Sequence, residues 1–242
     1  MSRLKYPKSF SPTVRDLLDN LHAASTAQEA NFDADAFTLA RDTSTLHTPS
    51  AIETVDASMR DKLVAIDNDK ALAIYNLILA RGARRIVEVG TSFGVSTIYL
   101  ALAAIECGHA KPVHPVRPKV IATEKESSKA EAARRNWKAA GVDDVIDLRV
   151  GDLQETLRDG IGNVDFVLLD IWPYLAMPAL ELLLPQLNYG AVVVTDNVVH
   201  AAEGYSDLLG FLRGPEGPFE SVTLPYHGGM EFSVYMPNTT ER

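Results

Sequence analysis

A chain of 242 residues with 46% hydrophobic side chains can bury one large core, in the size range of single α/β domains. Its 23 basic and 32 acidic residues leave a net charge of −9, which argues against nucleic acid as a partner, because phosphate neutralisation needs clustered Lys and Arg. A single cysteine, Cys107, excludes an internal disulfide and fits a reducing, cytoplasmic setting; no apolar run reaches the ~18 residues of a membrane span, and MSRLKYPKSF lacks the apolar stretch of a secretion signal.

In chain order, Ser11-Pro12 ahead of Val14, Leu17, Leu18 and Leu21 predicts a capped amphipathic helix over 11–24. Its apolar face needs cover, either over an active site or against a second subunit, so a homodimer is an expectation. Residues 31–68 read as short helices joined by loops. Leu72, Tyr75, Ile78 and Leu79 recur at helical spacing and Gly82 ends that run, predicting a helix over 69–81. Beyond it, strand-like runs at 85–90, 120–124, 146–150, 164–170 and 191–197 alternate with helix-like runs at 95–106, 127–140, 153–158 and 177–187. Continuous Val/Ile/Leu strands separated by helices predict a parallel sheet covered on both faces. ESVTLPY and EFSVYM flanking HGGM predict a terminal β-hairpin. The loop CGHAKPVHPVRPK, 107–119, holds Cys107, His109 and His114, but no fourth zinc ligand at recognised spacing, and reads as a solvated loop.

The chemistry lies at the strand ends. In a doubly wound sheet, ligands bind beyond the carboxyl ends of the strands. Glu88, Glu124, Asp170 and Asp196 fall at or near those ends, and Asp152 follows the 146–150 strand by two positions. Any one alone would be read as a cap or a solvated carboxylate; together they form a surface. IVEVGTSFGVST, 86–97, has the glycines of a nucleotide loop, yet Glu88 stands just ahead of Gly90. A Walker ending is missing, and Ser92 and Val95 replace the second and third glycines of a dinucleotide fingerprint. An acid beside a pyrophosphate would repel it by a few kcal/mol at ~4 Å, whereas it would favour a cationic ligand without phosphate. Glu124 is placed for two ribose hydroxyls, and Asp152 for an exocyclic amine. Ammonium, ribose and adenine without phosphate describe S-adenosylmethionine.

The order of VEVGTSFGVST, ATEKE, VGDLQE, VDFVLLDIW and VVVTDNV resembles the class I S-adenosylmethionine-dependent methyltransferases, and more narrowly the metal-dependent catechol and caffeoyl-CoA O-methyltransferases, over about residues 60–236. The resemblance implies a Rossmann-like, doubly wound, mostly parallel seven-stranded sheet with a C-terminal hairpin. It divides the chain into a helical extension, 1–60, and a methyltransferase domain, 61–242. It implies that Glu88, Gly90 and Ser96 hold the amino-acid part of the cofactor, Glu124 the ribose and Asp152 the adenine amine. Asp170 lies beside the cofactor and Trp172 against the adenine ring.

Asp170, Asp196 and Asn197 offer two carboxylates and an amide, hard oxygen donors suited to Mg²⁺ or another divalent cation; the plainer reading is that Asp196-Asn197 caps the next helix. Metal coordination would ease ionisation of a phenol, so the acceptor expected is a small phenolic compound with vicinal hydroxyls. One departure stands out. The family carries a lysine base shortly after the strand-end Asp, and this chain reads DIWPY with Pro173 and Tyr174; His200, Tyr174 and His227 are the candidate bases. The competing readings are a metal-independent methyltransferase on another nucleophile, a non-catalytic S-adenosylmethionine-binding protein, and a nicotinamide oxidoreductase.

Overall fold

The computed structural model describes residues 6–30, 49–110 and 116–237. Its helices are α1 (Pro12–Glu29), α2 (Pro49–Met59), α3 (Asn68–Arg81), α4 (Val95–Ala110), α5 (Ser127–Ala140), α6 (Leu153–Thr156), α7 (Pro173–Leu183) and α8 (Ser206–Arg213). The strands are β1 (Arg85–Val89), β2 (Lys119–Glu124), β3 (Ile146–Val150), β4 (Val164–Leu169), β5 (Leu187–Asp196), β6 (Phe219–Leu224) and β7 (Met230–Tyr235). They form one seven-stranded sheet in the order β3-β2-β1-β4-β5-β7-β6. The first five strands are parallel, and β7 runs antiparallel to both β5 and β6.

Period-two alternation along each strand feeds two cores, one on each face of the sheet. Ile86, Phe166 and Leu168 pack towards α1, α3, α4 and α5. Val87, Val89, Val167 and Leu169 pack towards α6, α7 and α8. The order of the strands reverses between β1 and β4, whose ends pair Val89 with Leu169. That is where a doubly wound sheet opens a crevice for a ligand.

Several boundaries shift for local reasons. α1 runs on to Glu29, with Ser11 Oγ accepting from Val14 N at 3.2 Å. α7 begins at Pro173, not at 177, because proline at the first helical position gives up no backbone bond the helix needs. β5 starts at Leu187, four residues earlier than expected, and stops at Asp196 because Asn197 turns left-handed at φ +61°. Cys107 belongs to α4, buried with Sγ 3.6 Å from the Ile78 carbonyl; His114 and, of the span 31–68, residues 31–48 lie outside the described residues. Among the described residues no helix is long and apolar enough to cross a membrane.

The largest correction concerns α1. Phe10, Val14 and Leu18 are buried in the same core as Tyr75 and Tyr99. The Phe10 ring meets Tyr75 edge-on at 5.2 Å. Ser25 Oγ and Gln28 Oε1 accept from the backbone of Ala65 and Leu63. The helix read as an extension is an integral layer of the domain, and its apolar face is covered by its own chain.

Candidate active site

A cavity of about 580 Å³ opens at the carboxyl ends of β1, β2, β4 and β5. Gly90, Ser96, Glu124, Asp152, Asp170, Trp172, Tyr174, Asp196, Asn197, His200 and His227 all line it. One expected residue does not: Glu88 lies beneath the 90–96 turn, with no solvent exposure.

From there Glu88 holds the turn. Its Oε2 accepts from Thr91 Oγ1 at 2.9 Å and Thr97 Oγ1 at 2.5 Å, and Oε1 is buried with no partner. Burial pushes its carboxyl up to about 7, against the Ser96, Thr97 and Thr91 hydroxyls, which lower it. Directly above, Gly90 at φ +94° brings the chain so close to β4 that a Cβ would collide with the Asp170 carbonyl oxygen. No other residue fits there. An orphaned carboxylate oxygen beneath a residue with no side chain suits the amino-acid end of a cationic ligand.

Glu124, at the end of β2, accepts from Ser92 N at 2.7 Å and Glu126 N at 2.8 Å, and burial raises its pKa. Asp152 caps α6, with Oδ1 accepting from Gln154 N at 2.8 Å. The plain reading of Asp152 as a cap therefore holds for one oxygen, while the residue still faces the cavity.

Asp170 and Asp196 end adjacent parallel strands, in register through Leu169 and Thr195. Both carboxyls are raised, by burial first; the neighbouring Asp196 and Glu88 charges add to it at Asp170. Asp196 and Asn197 are not a helix cap. Asp196 Oδ1 accepts from Asn197 N at 2.8 Å, residues 198–205 form turns, and the next helix starts only at Ser206.

The residue the sequence reading missed is Lys70. It reaches in from the first turn of α3 with 1% of its side chain exposed. Its Nζ stands 2.7 Å from Asp196 Oδ1, 3.4 Å from Asn197 Oδ1 and 3.4 Å from Asp67 Oδ2. A signal was present: a lysine on the same helical face as Ile74 and Ile78, in a first turn whose dipole disfavours cations. Among the described residues no group of three or more His, Cys, Asp or Glu is arranged to hold a metal ion.

The side of the cavity beyond Asn197 is walled by the turn between β6 and β7. Gly228 O accepts from Val199 N at 2.8 Å and His200 N at 3.1 Å. The His200 and His227 rings meet edge-on at 4.7 Å, with His227 Nδ1 3.7 Å from Asp67 Oδ2.

Residues 87–198 match a methyltransferase domain family. A catechol O-methyltransferase of Mycobacterium tuberculosis is 32% identical over 137 residues, 56% of this chain and 58% of that protein, so the chain spans under two thirds of that relative. An O-methyltransferase from Bacillus cereus, solved in complex with S-adenosylhomocysteine, superposes with a TM-score of 0.63 at 20% identity, covering 96% of this chain and 93% of that one. The O-methyltransferase TomG from Streptomyces achromogenes, solved with S-adenosylmethionine, gives 0.62 at 21% identity, covering 90% and 98%. Residues 87–198 thus match a methyltransferase domain family, and the chain shares the fold of these solved O-methyltransferases.

Proposed function

We propose that this protein transfers a methyl group from S-adenosylmethionine to a hydroxyl of a small, catechol-like aromatic acceptor. The observation that carries the reading is the ring of strand-end carboxylates around one cavity at the β1/β4 reversal, with a buried, unpartnered Glu88 oxygen beneath Gly90. The likeness to a catechol O-methyltransferase supports the acceptor class.

When bound, the cofactor supplies an electrophilic methyl carbon on a sulfonium that leaves as a neutral thioether. The chain's residues do the rest. Glu88, Gly90 and Ser96 would hold the amino-acid end, Glu124 the ribose, Asp152 the adenine amine, and Trp172 the adenine face. Holding the acceptor oxygen in line with the methyl carbon contributes up to ~7–11 kcal/mol. The acceptor's proton must leave as its oxygen takes the methyl group. Burial pushes the Tyr174 phenol up to about 12, which keeps it protonated at neutral pH and makes it a poor base. His200 and His227, at the open side of the cavity, remain to pass that proton to water.

The metal-assisted form of this reading places Mg²⁺ or another divalent cation on Asp170, Asp196 and Asn197. Their donor chemistry suits it. As the protein is folded, however, Lys70 Nζ stands within reach of two of the three donors, and a metal ion would enter the set only by displacing it. No step is therefore assigned to a metal.

The test is incubation of the purified protein with S-adenosylmethionine and a panel of catechols and monophenols, read by mass spectrometry. Methylated catechol is the expected product. Tight S-adenosylhomocysteine binding with no product from any hydroxylated aromatic would overturn the reading in favour of a non-catalytic binder.

A further inference from the structure

We propose that Lys70 is the resident cation of this site: it stands where a divalent metal would, holds Asp196 and Asn197, and offers an N–H to the acceptor's oxygen. The proposal rests on the methyl-transfer reading for that last role; its place among the donors stands on geometry alone.

Three observations carry it. The first is position. Lys70 lines the same cavity as Asp170, Asp196 and Asn197, and its Nζ lies 2.7 Å from Asp196 Oδ1 and 3.4 Å from Asn197 Oδ1. A cation bridging a carboxylate and the adjacent amide oxygen is what the donor set would ask of a metal ion. The second is economy. A buried lysine opposite a buried aspartate is weak support for stability, since desolvation offsets the attraction. A first helical turn adds a further penalty to a cation. The third is the lack of a substitute. Among the described residues the other lysines and arginines lining the cavity are Arg60, Lys125 and Lys129. Arg60 pairs with Glu126, Lys125 with Asp56, and Lys129 lies in the field of Glu124 and Glu126, all at the far, cofactor end.

An ammonium has three N–H donors. The bond to Asp196 is short, while those to Asn197 and Asp67 are long at 3.4 Å. An acceptor oxygen entering the cavity would draw a donor from one of the long pair and leave Asp196 held.

The experiment uses the whole protein and Mn²⁺ alone as probe. Mn²⁺ binding is measured by electron paramagnetic resonance on wild type, Lys70→Met, and Lys70→Met combined with Asp196→Ala, with S-adenosylhomocysteine affinity recorded for each. Turnover is measured with and without prior chelation. We expect wild type to bind no Mn²⁺ at this site and to keep full turnover after chelation. Lys70→Met should retain S-adenosylhomocysteine binding, lose turnover by about a hundredfold, the size seen when one transition-state donor is removed, and gain Mn²⁺ binding that vanishes in the double variant. Asp196-dependent Mn²⁺ binding by wild type would overturn the proposal, as would loss of turnover on chelation or full turnover in Lys70→Met. The Mn²⁺ comparison decides the point even if no acceptor is methylated, so failure of the reaction reading and failure of this one are separable. Should Lys70→Met not fold, Lys70→Ala and the wild-type measurements decide the question in the same way.

Discussion

With one oxygen held by two threonines and the other unpartnered, Glu88 ties the cofactor loop to pH. Its ordinary value of 4.5 is raised to about 7 by burial, so the folded state holds the proton more tightly than the unfolded one. The destabilisation from ionising it is absent below 4.5, grows between 4.5 and 7, and is fully present above, at about 3 kcal/mol. Ligand-free protein should melt higher at pH 5 than at pH 8, and Glu88→Gln should shrink that difference. A ligand ammonium favours the ionised form, so cofactor binding near pH 6.5 should release a proton. Calorimetry in buffers of different ionisation enthalpy would show it; equal heats in all buffers would remove Glu88 from the cofactor site. Glu124→Ala should weaken S-adenosylhomocysteine by roughly 1.5–3 kcal/mol, the usual size for a hydrogen bond to a charged group, and unchanged affinity in a folded variant would exclude it. Gly228→Ala tests the opposite wall. A Cβ there would collide with Asn197 Oδ1, and the backbone is at φ +73°. Turnover should fall at least tenfold, for about 1.4 kcal/mol of misplacement, with S-adenosylhomocysteine affinity unchanged.

Among the elements, α2 closes the Glu124 end of the cavity by charge. Asp56 on α2 pairs with Lys125 at 2.8 Å, and Arg60, just past its end, pairs with Glu126 at 3.1 Å. Both partners follow Glu124 directly, so the clasp and that carboxylate share one segment. Exposed pairs of this kind contribute at most about 1 kcal/mol each and weaken with salt. Cofactor dissociation measured by stopped flow should speed up with ionic strength, and the dependence should flatten in Lys125→Ala; a wild-type rate insensitive to salt would dismiss the clasp. Elements of this α/β layer were legible in the sequence wherever one physical signal dominated. Long Val/Ile/Leu runs marked the parallel strands, and the row of acids at their ends marked the site. Lys70 stayed hidden because its contact with Asn197 spans 127 positions, and helical periodicity says nothing of what a face meets. Glu88 stood out in the sequence, but not its depth: alternation along β1 sets it beside Ile86, on the face towards α4, under the turn rather than at the cavity surface. The place of β7 was equally closed to inspection: a hairpin signal names the two strands but not which of them meets the rest of the sheet.

For the whole molecule, α1 changes what a truncation would do. Phe10, Val14 and Leu18 are 2%, 5% and 0% exposed, and fully burying such side chains stabilises by ~1.5–3 kcal/mol each. Their sum rivals the ~5–15 kcal/mol that separates folded from unfolded domains. Removing residues 1–30 should therefore yield aggregated or unfolded protein by circular dichroism, and a folded, active product would restore α1 to the status of an extension. The strand order carries a consequence for biosynthesis. Among the described strands β7 is translated last, yet it lies between β5 and β6 and pairs Val192 with Val234 through to Asp196 with Met230. Until Tyr235 has left the ribosome, the long Val-rich edge of β5 has no partner, and β6 has nothing to join. An unpaired apolar edge is a template for association with other chains. Until β7 emerges, the Val-rich border of β5 stays bare and β6 stays detached, and both defects are repaired by the same six residues.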